Sequence, residues 1–424
     1  MKTQSLSPIC SHSASVERRT SNVEQRRRPL SCLAFLPFLL QPLVLSLLLT
    51  APLKAGDLTV SGNLIITSNA TLKGQLTLGK GVLDSRGGWM LHNPGTHNTF
   101  LGWDTAIGDV TGLGNTAEGA CALQGLTLGS WNTAQGYASL QRNTAGWGNT
   151  AAGAFSLYLN TNGWGNTASG YAALLSNIGG MGNTADGYVS LYLNNSGVYN
   201  TAQGAYSLYH NSDGWRNTAA GAFSLYLNTN GWGNTAAGYQ TLLYNTSGYG
   251  NTADGYGSLC QNDNGVYNTA DGAYALYLNR VGYGNVAEGA YALFCSSNGQ
   301  FNAAGGMYSL YFNQQGSYNT AWGWCSGFAN TNGVYNTFIG ADAGHYDTPG
   351  GLTNATAIGY KSQVARSHSL VLGGTGAWAV NVGIGTNAPA ARLHIVGDSR
   401  FDGVVRLVPQ GDLSMGVFTN APAP

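Results

Sequence analysis

Charge is what this sequence most lacks. Only 8% of its 424 residues are charged, against about a quarter in an ordinary globular chain. Eighteen Lys+Arg balance 18 Asp+Glu. A nucleic-acid binder needs a basic excess to displace counterions from phosphates, so that partner class is excluded. A disordered polyelectrolyte needs many charges and few rings, yet aromatics make up 11% of the chain. The Ala, Glu, Lys, Leu and Arg that dominate coiled coils are not dominant here. Cysteine is sparse, with six residues, and their spacings show no metal pattern. Glycine is abundant: 63 residues, about twice the usual share. It does not recur at every third position, which excludes collagen. A β-rich repeat protein remains.

The charges that exist are unevenly placed. Lys2, Arg18, Arg19, Arg26, Arg27 and Arg28 precede an uncharged, mostly apolar run from Leu30 to Leu53. A basic lead before an apolar run is the signature of export. Residues 1–55 read as a signal peptide cleaved after Ala55, or else as an uncleaved membrane anchor. Pro37, Gln41 and Pro42 interrupt the run and favour cleavage. Cleavage would leave 11 Lys+Arg against 16 Asp+Glu. The basic cluster is thus a targeting device, and membrane contact is expected only through an uncleaved N-terminal segment.

An internal repeat dominates the rest. Asparagine recurs every 17 residues from Asn98 to Asn336, in fifteen units without insertion. We number phases from this asparagine as zero. Glycine fills phase 4, from Gly102 to Gly340, and phase 14, from Gly112 to Gly350. Threonine follows the asparagine in 13 of the 15 units, and leucine holds phase 8 from Leu123 to Leu310. Two glycines and usually two asparagines per unit oppose helix. Insertion-free spacing is what a solenoid demands, because each coil must stack on the last. The fold is therefore expected to be all-β, a β-solenoid of one coil per 17-residue repeat. Short strands are expected at Asn-Thr-Ala-x and around the leucine. Fifteen coils at a strand spacing of about 4.8 Å would make a rod of about 70 Å. The asparagines should form amide ladders, with Leu and Ala pointing inward. So thin a core gains by burying a flank against copies of itself.

The domain reading is 1–55 leader, 56–97 N-terminal β-strand segment and junction, 98–352 repeats, 353–405 a degenerate segment, and 406–424 a tail. In the degenerate segment stand Ala357-Ile358-Gly359-Tyr360-Lys361-Ser362, and then Val382-Gly383-Ile384-Gly385-Thr386, Pro389 and Leu393-His394-Ile395. The first of these, with the Asn-Thr-Ala-x-Gly units, resembles the left-handed β-roll heads of YadA-like trimeric autotransporter adhesins. The second resembles stalk pieces of bacterial surface proteins and phage tail-fibre-like proteins. The resemblance implies a homotrimer, export to the cell surface and attachment. Two departures stand out: the usual head repeat is shorter than 17 residues, and no C-terminal barrel-anchor pattern follows.

Motifs of enzymatic chemistry are missing: there is no Gly-x-Ser-x-Gly, no complete Gly-x-x-x-x-Gly-Lys-Ser/Thr phosphate loop (Gly74 to Lys80 is followed by Gly81) and no His-Glu-x-x-His. The reading is non-enzymatic, without cofactor or metal. Asp342, His345 and Asp347 are the nearest thing to a cation cluster and read as a polar loop. Asp186, Asp254, Asp271 and Glu288 share phase 3 and read as solubilising groups. Cys121, Cys260, Cys295 and Cys325 read as small fillers, with one disulfide left open. At phase 15 stand Trp147, Trp164, Trp215, Trp232, Tyr249 and Tyr283, the candidates for a ligand surface. Rings beside Asn, Thr and Ser suit carbohydrate, because sugar faces stack on rings while amides and hydroxyls bond sugar hydroxyls. The competing reading is that these rings cover glycine turns or a subunit contact. Tyr158, Tyr192, Tyr209, Tyr226, Tyr277 and Tyr311, one residue after the leucine, read as packing residues.

The leading functional expectation is an exported adhesin-like fibre that binds a glycan, host or matrix surface through many weak sites. One alternative is an ice-binding solenoid, suggested by the threonine column. Another is a spike-like subunit that binds a receptor or processes polysaccharide.

Overall fold

The computed structural model describes residues 83–85, 89–92, 96–107, 109–344, 351–400 and 402. The leader, the segment 57–79 and the tail 406–424 lie outside the described residues, as do His345 and Asp347.

The chain is a parallel β-solenoid. Each coil contributes one three-residue strand, Thr-Ala-x, with its middle residue buried and its outer residues facing out. Seventeen such strands, from Thr99–Leu101 to Leu370–Leu372, form one parallel sheet in strict register. Thr201 pairs with Thr218, Ala202 with Ala219, and so along the array. The ladder runs past residue 352: Thr337 pairs with Thr356 and Thr356 with Leu370, by steps of 19 and 14 residues. The first coil is met by antiparallel strands, Leu83–Ser85 and Trp89–His92. Val382–Ile384 and Leu393–Ile395 form a separate parallel pair.

The leucine segment is not a strand. Leucine at phase 8 and the residue at phase 6 both have left-handed backbone, as in Tyr206 (φ 58°) and Leu208 (φ 49°). Such a conformation costs a non-glycine residue about 1–2 kcal/mol, and here it recurs in every coil. What offsets it is hydrogen bonding along the stack. Tyr206 N–H donates back to Tyr188 O, while Leu208 N–H donates forward to Ser224 O. Alternating handedness thus aims successive peptide groups along the axis without an extended strand. The phase 4 glycine completes the turn. Gly187 has φ +140°, and a Cβ there would lie 2.7 Å from the backbone of Gly204 in the next coil.

The core is a set of columns. Ala at phase 2 and Leu at phase 8 are fully enclosed, as expected. Both asparagine columns are enclosed with them. At phase 0, Asn217 Oδ1 accepts from both the backbone N–H and the side-chain amide of Asn234. The Asn234 amide also donates to Gly248 O. At phase 11, Asn228 donates to Asn211 Oδ1 and to Gly231 O. An unbonded amide would be expensive in such a place, and the stack satisfies almost every one. The ladder is interrupted at Ser296, whose hydroxyl is too short to reach. Asn279 Oδ1 and Ser296 Oγ are left buried without partners.

The ends of the core are built differently. Phe100 and Phe338 replace the phase 2 alanine, both completely buried. Phe338 is accommodated by Gly327, which takes the leucine phase one coil earlier; a Cβ on Gly327 would lie 2.6 Å from the Phe338 ring.

Candidate functional site

Seventeen columns leave three outward surfaces. Phases 1 and 3 flank the buried alanine and form the strand face. Phases 5, 6, 9 and 10 form a second face, beyond the phase 4 turn. Phases 12, 13, 15 and 16 form a third, around the phase 14 glycine.

The third face carries the residues singled out from sequence. Trp147 stacks on Trp164 at 5.0 Å with an interplanar angle of 1°. Trp215 stacks on Trp232 at 5.0 Å, and Trp232 on Tyr249 at 4.5 Å. Tyr283 meets Phe301 edge-on at 4.9 Å. Five of the six therefore form two separate stacks, with Met181 and Val198 standing between Trp164 and Trp215, and Tyr283 pairs with a ring outside the set. Such short centroid distances leave no room for rings lying side by side in one plane. The faces are turned along the axis and cover one another. What points outward is ring edges, with Trp147 half exposed at the end of its stack.

The aromatic column is fuller than a single phase reveals. Where phase 15 lacks a ring, phase 16 often supplies one: Trp131, Tyr199, Tyr267, Phe301, Tyr318 and Tyr335. Tyr249 continues to Tyr267, and Phe301 to Tyr318 and then Tyr335. Four of these phase 16 rings, Trp131, Tyr199, Tyr267 and Phe301, lie over glycines of the preceding coil. A Cβ on Gly182 would strike the Tyr199 ring at 2.7 Å, and one on Gly284 would strike Phe301 at 2.7 Å. Polar groups flank the rings. Thr144 and Thr161 hydroxyls bond the carbonyls of the next coil. Exposed Asn162 and Asn230 stand beside Trp164 and Trp232 in the chain.

The second face holds an aromatic chain that column counting missed. Its rings alternate between phases 5 and 6: Tyr137, Phe155, Tyr171, Tyr188, Tyr206, Phe223, Tyr239, Tyr256, Tyr274, Tyr291 and Tyr308. Each lies within 5.9 Å of the next. No single phase is aromatic throughout, and this is why one-column reading overlooks it. Allowing either of two adjacent phases would have found it. The phase 9 tyrosines pack beside this chain, as expected: Tyr192, Tyr209 and Tyr226 stack in turn. Tyr277 leads through Phe294 to Tyr311. Burial, with the neighbouring Tyr256, Tyr291 and Tyr277, pushes the Tyr274 phenol up to about 12. Burial raises Tyr209, Tyr277 and Tyr311 as well.

The strand face is polar. Its thirteen repeat threonines stand in register. Asp254, Asp271 and Glu288 occupy three successive rungs, exposed to solvent. Asp186 stands apart from them on the same face. Among the described residues the ion pair found is Arg400–Asp402, and no three metal-ligating side chains converge. The cysteines Cys121, Cys260, Cys295 and Cys325 are all free; Cys260 is buried, which pushes its thiol up to about 11. No helix among the described residues is long and apolar enough to cross a membrane. No protein-family model matches the chain, and a search of curated proteins finds no relative.

Proposed function

We propose that this chain is an exported fibrous attachment protein, a homotrimer whose third face is its working surface. The observation that carries the reading is repetition. Coil after coil presents a large ring beside hydroxyls and amides at the same corner. A surface of this kind suits glycan or matrix, because weak contacts repeated along a stiff rod combine into useful avidity. The geometry refines how a sugar would be met. Ring edges and end faces are on offer, together with threonine hydroxyls and asparagine amides. The basic, apolar leader supports export, and the resemblance to β-roll adhesin heads supports the trimer.

The test is binding to panels of glycans, matrix proteins and cells. Full-length wild type is compared with a Trp147→Ala, Trp164→Ala, Trp215→Ala, Trp232→Ala variant. The expected result is saturable binding that falls at least tenfold in the variant while strand content is kept. Equal binding by both would remove the third face from the account. Absence of binding by a folded wild type would remove attachment itself.

One other reading has its own observation. The in-register threonine column on the parallel sheet is the observation behind an ice-binding reading. Thermal hysteresis measured on the folded chain would establish that reading, and unchanged freezing behaviour would dismiss it.

A further inference from the structure

We infer that the second face, the aromatic one, is the surface through which copies of this chain pack together. The inference rests on the self-association in the function proposed above and assigns it a place. Charge placement carries the argument. From Asn149 through Tyr335, eleven consecutive coils contain eight charged residues: Asp186, Asp213, Arg216, Asp254, Asp263, Arg280, Asp271 and Glu288. Every one lies on the strand face or the third face. The 44 positions at phases 5, 6, 9 and 10 contain none. On this face charges return beyond this stretch, at Asp104 and Arg142 before it and at Asp342 and Lys361 after it. A solvated surface has no reason to exclude charge from one side for eleven coils. A surface that is desolvated does, because an unpaired charge there is costly.

Area points the same way. Tyr137, Tyr171, Tyr188, Tyr239, Tyr244, Tyr256, Phe312 and Trp324 all lie on this face, each between 39% and 53% exposed. An aromatic side chain buries 150–250 Å² when enclosed, so each retains about 100 Å² of open surface. Together they expose about 800 Å², one partner's share of a stable interface. A patch of that size marks an interaction surface, and its lack of charge sets it apart from the third face, which carries Asp213, Arg216, Asp263 and Arg280. A second copy fits because the face is itself a ladder. Ring edges and phenol hydroxyls project at one coil spacing, and an identical ladder offers the same spacing for edge-to-face contact. A partner without this repeat would match it over only a few coils.

The experiment is the absolute mass of the full chain by sedimentation, at micromolar concentration. It compares wild type with a Tyr171→Lys, Tyr239→Lys variant of the second face and a Thr201→Lys, Thr235→Lys variant of the strand face. Wild type and the strand-face variant are expected as assemblies of three chains, and the second-face variant as single chains of unchanged strand content. An assembly through an uncharged face should also keep its mass when salt is raised to about 1 M, where exposed charge pairs are screened. That readout needs no substitution and stands if the double variant fails to fold. An assembly of wild type that falls apart in salt, or that tolerates the second-face lysines, overturns the assignment and leaves the trimer intact. A wild type that sediments as single chains overturns both.

Discussion

Asparagine is the residue on which the stack depends, because it does with one side chain what a strand does with its backbone. Asn217 Oδ1 accepts two hydrogen bonds from the next coil, and its amide hydrogens reach both the preceding asparagine and a glycine carbonyl. Replacing Asn217 by Ala would orphan several buried groups at once, at about 3 kcal/mol or more. The natural flaw in the second ladder allows the opposite experiment. Asn at position 296 would donate to Asn279 Oδ1, now without a partner, and accept from Asn313. Ser296→Asn is expected to stabilise the chain by about 1–2 kcal/mol, read as a higher midpoint in urea. A lower midpoint would mean that the serine is there for another reason. Sequence alone revealed the phase 0 ladder, since its period is unbroken. The defect at Ser296 was not legible, because its meaning lies in what Asn279 and Asn313 lose.

A single coil is the element here, and its turns are the costly part. Gly187 has no room for a side chain: its φ of +140° and the backbone of Gly204 each forbid a Cβ. Gly187→Ala is expected to cost about 3 kcal/mol or more by thermal denaturation. Gly179→Ala is the matched control, since nothing lies within 4 Å of its Cβ, and it should change stability by less than about 1 kcal/mol. The terminal coil offers a volume exchange. Phe338→Ala opens a cavity and Gly327→Leu overfills the core, so each alone should destabilise by about 2–4 kcal/mol. Together they restore the Ala and Leu of the inner coils, and the double variant should be more stable than either single one. A double variant no better than the worse single would show that the two positions are not coupled. The glycine phases, the inward leucine and the solenoid itself were legible from spacing. The strand expected at the leucine was not found, because left-handed backbone at Leu208 and its equivalents cannot be read from residue type.

At the scale of the whole molecule, three faces differ in chemistry along their full length. The tyrosine-rich second face makes the folded chain sensitive to alkali. Tyr274 rises from an ordinary 10.0 to about 12 in the folded chain, and Tyr209, Tyr277 and Tyr311 shift the same way. A phenol whose folded value is raised contributes stability that is fully present below pH 10 and is lost as pH climbs towards 12. Stability followed by circular dichroism should therefore hold to about pH 10 and fall between there and pH 12. A flat profile across that window would contradict the burial of these phenols. The second face escaped sequence reading because its rings alternate between two phases. The third was recognised in part, through Trp147, Trp164, Trp215, Trp232, Tyr249 and Tyr283, while its phase 16 partners were missed.

Acetylation of tyrosines on the intact wild-type protein, mapped by mass spectrometry, distinguishes a second face covered by copies of the chain from a third face left open for attachment. Tyr171, Tyr188, Tyr239 and Tyr256 on the second face are about as exposed in a single chain as Tyr199, Tyr267, Tyr318 and Tyr335 on the third. Any large difference in their reactivity therefore reports assembly. Rapid modification of the third-face tyrosines with protection of the second-face ones is the predicted result. Equal modification of the two sets, or protection of the third face alone, would contradict the account.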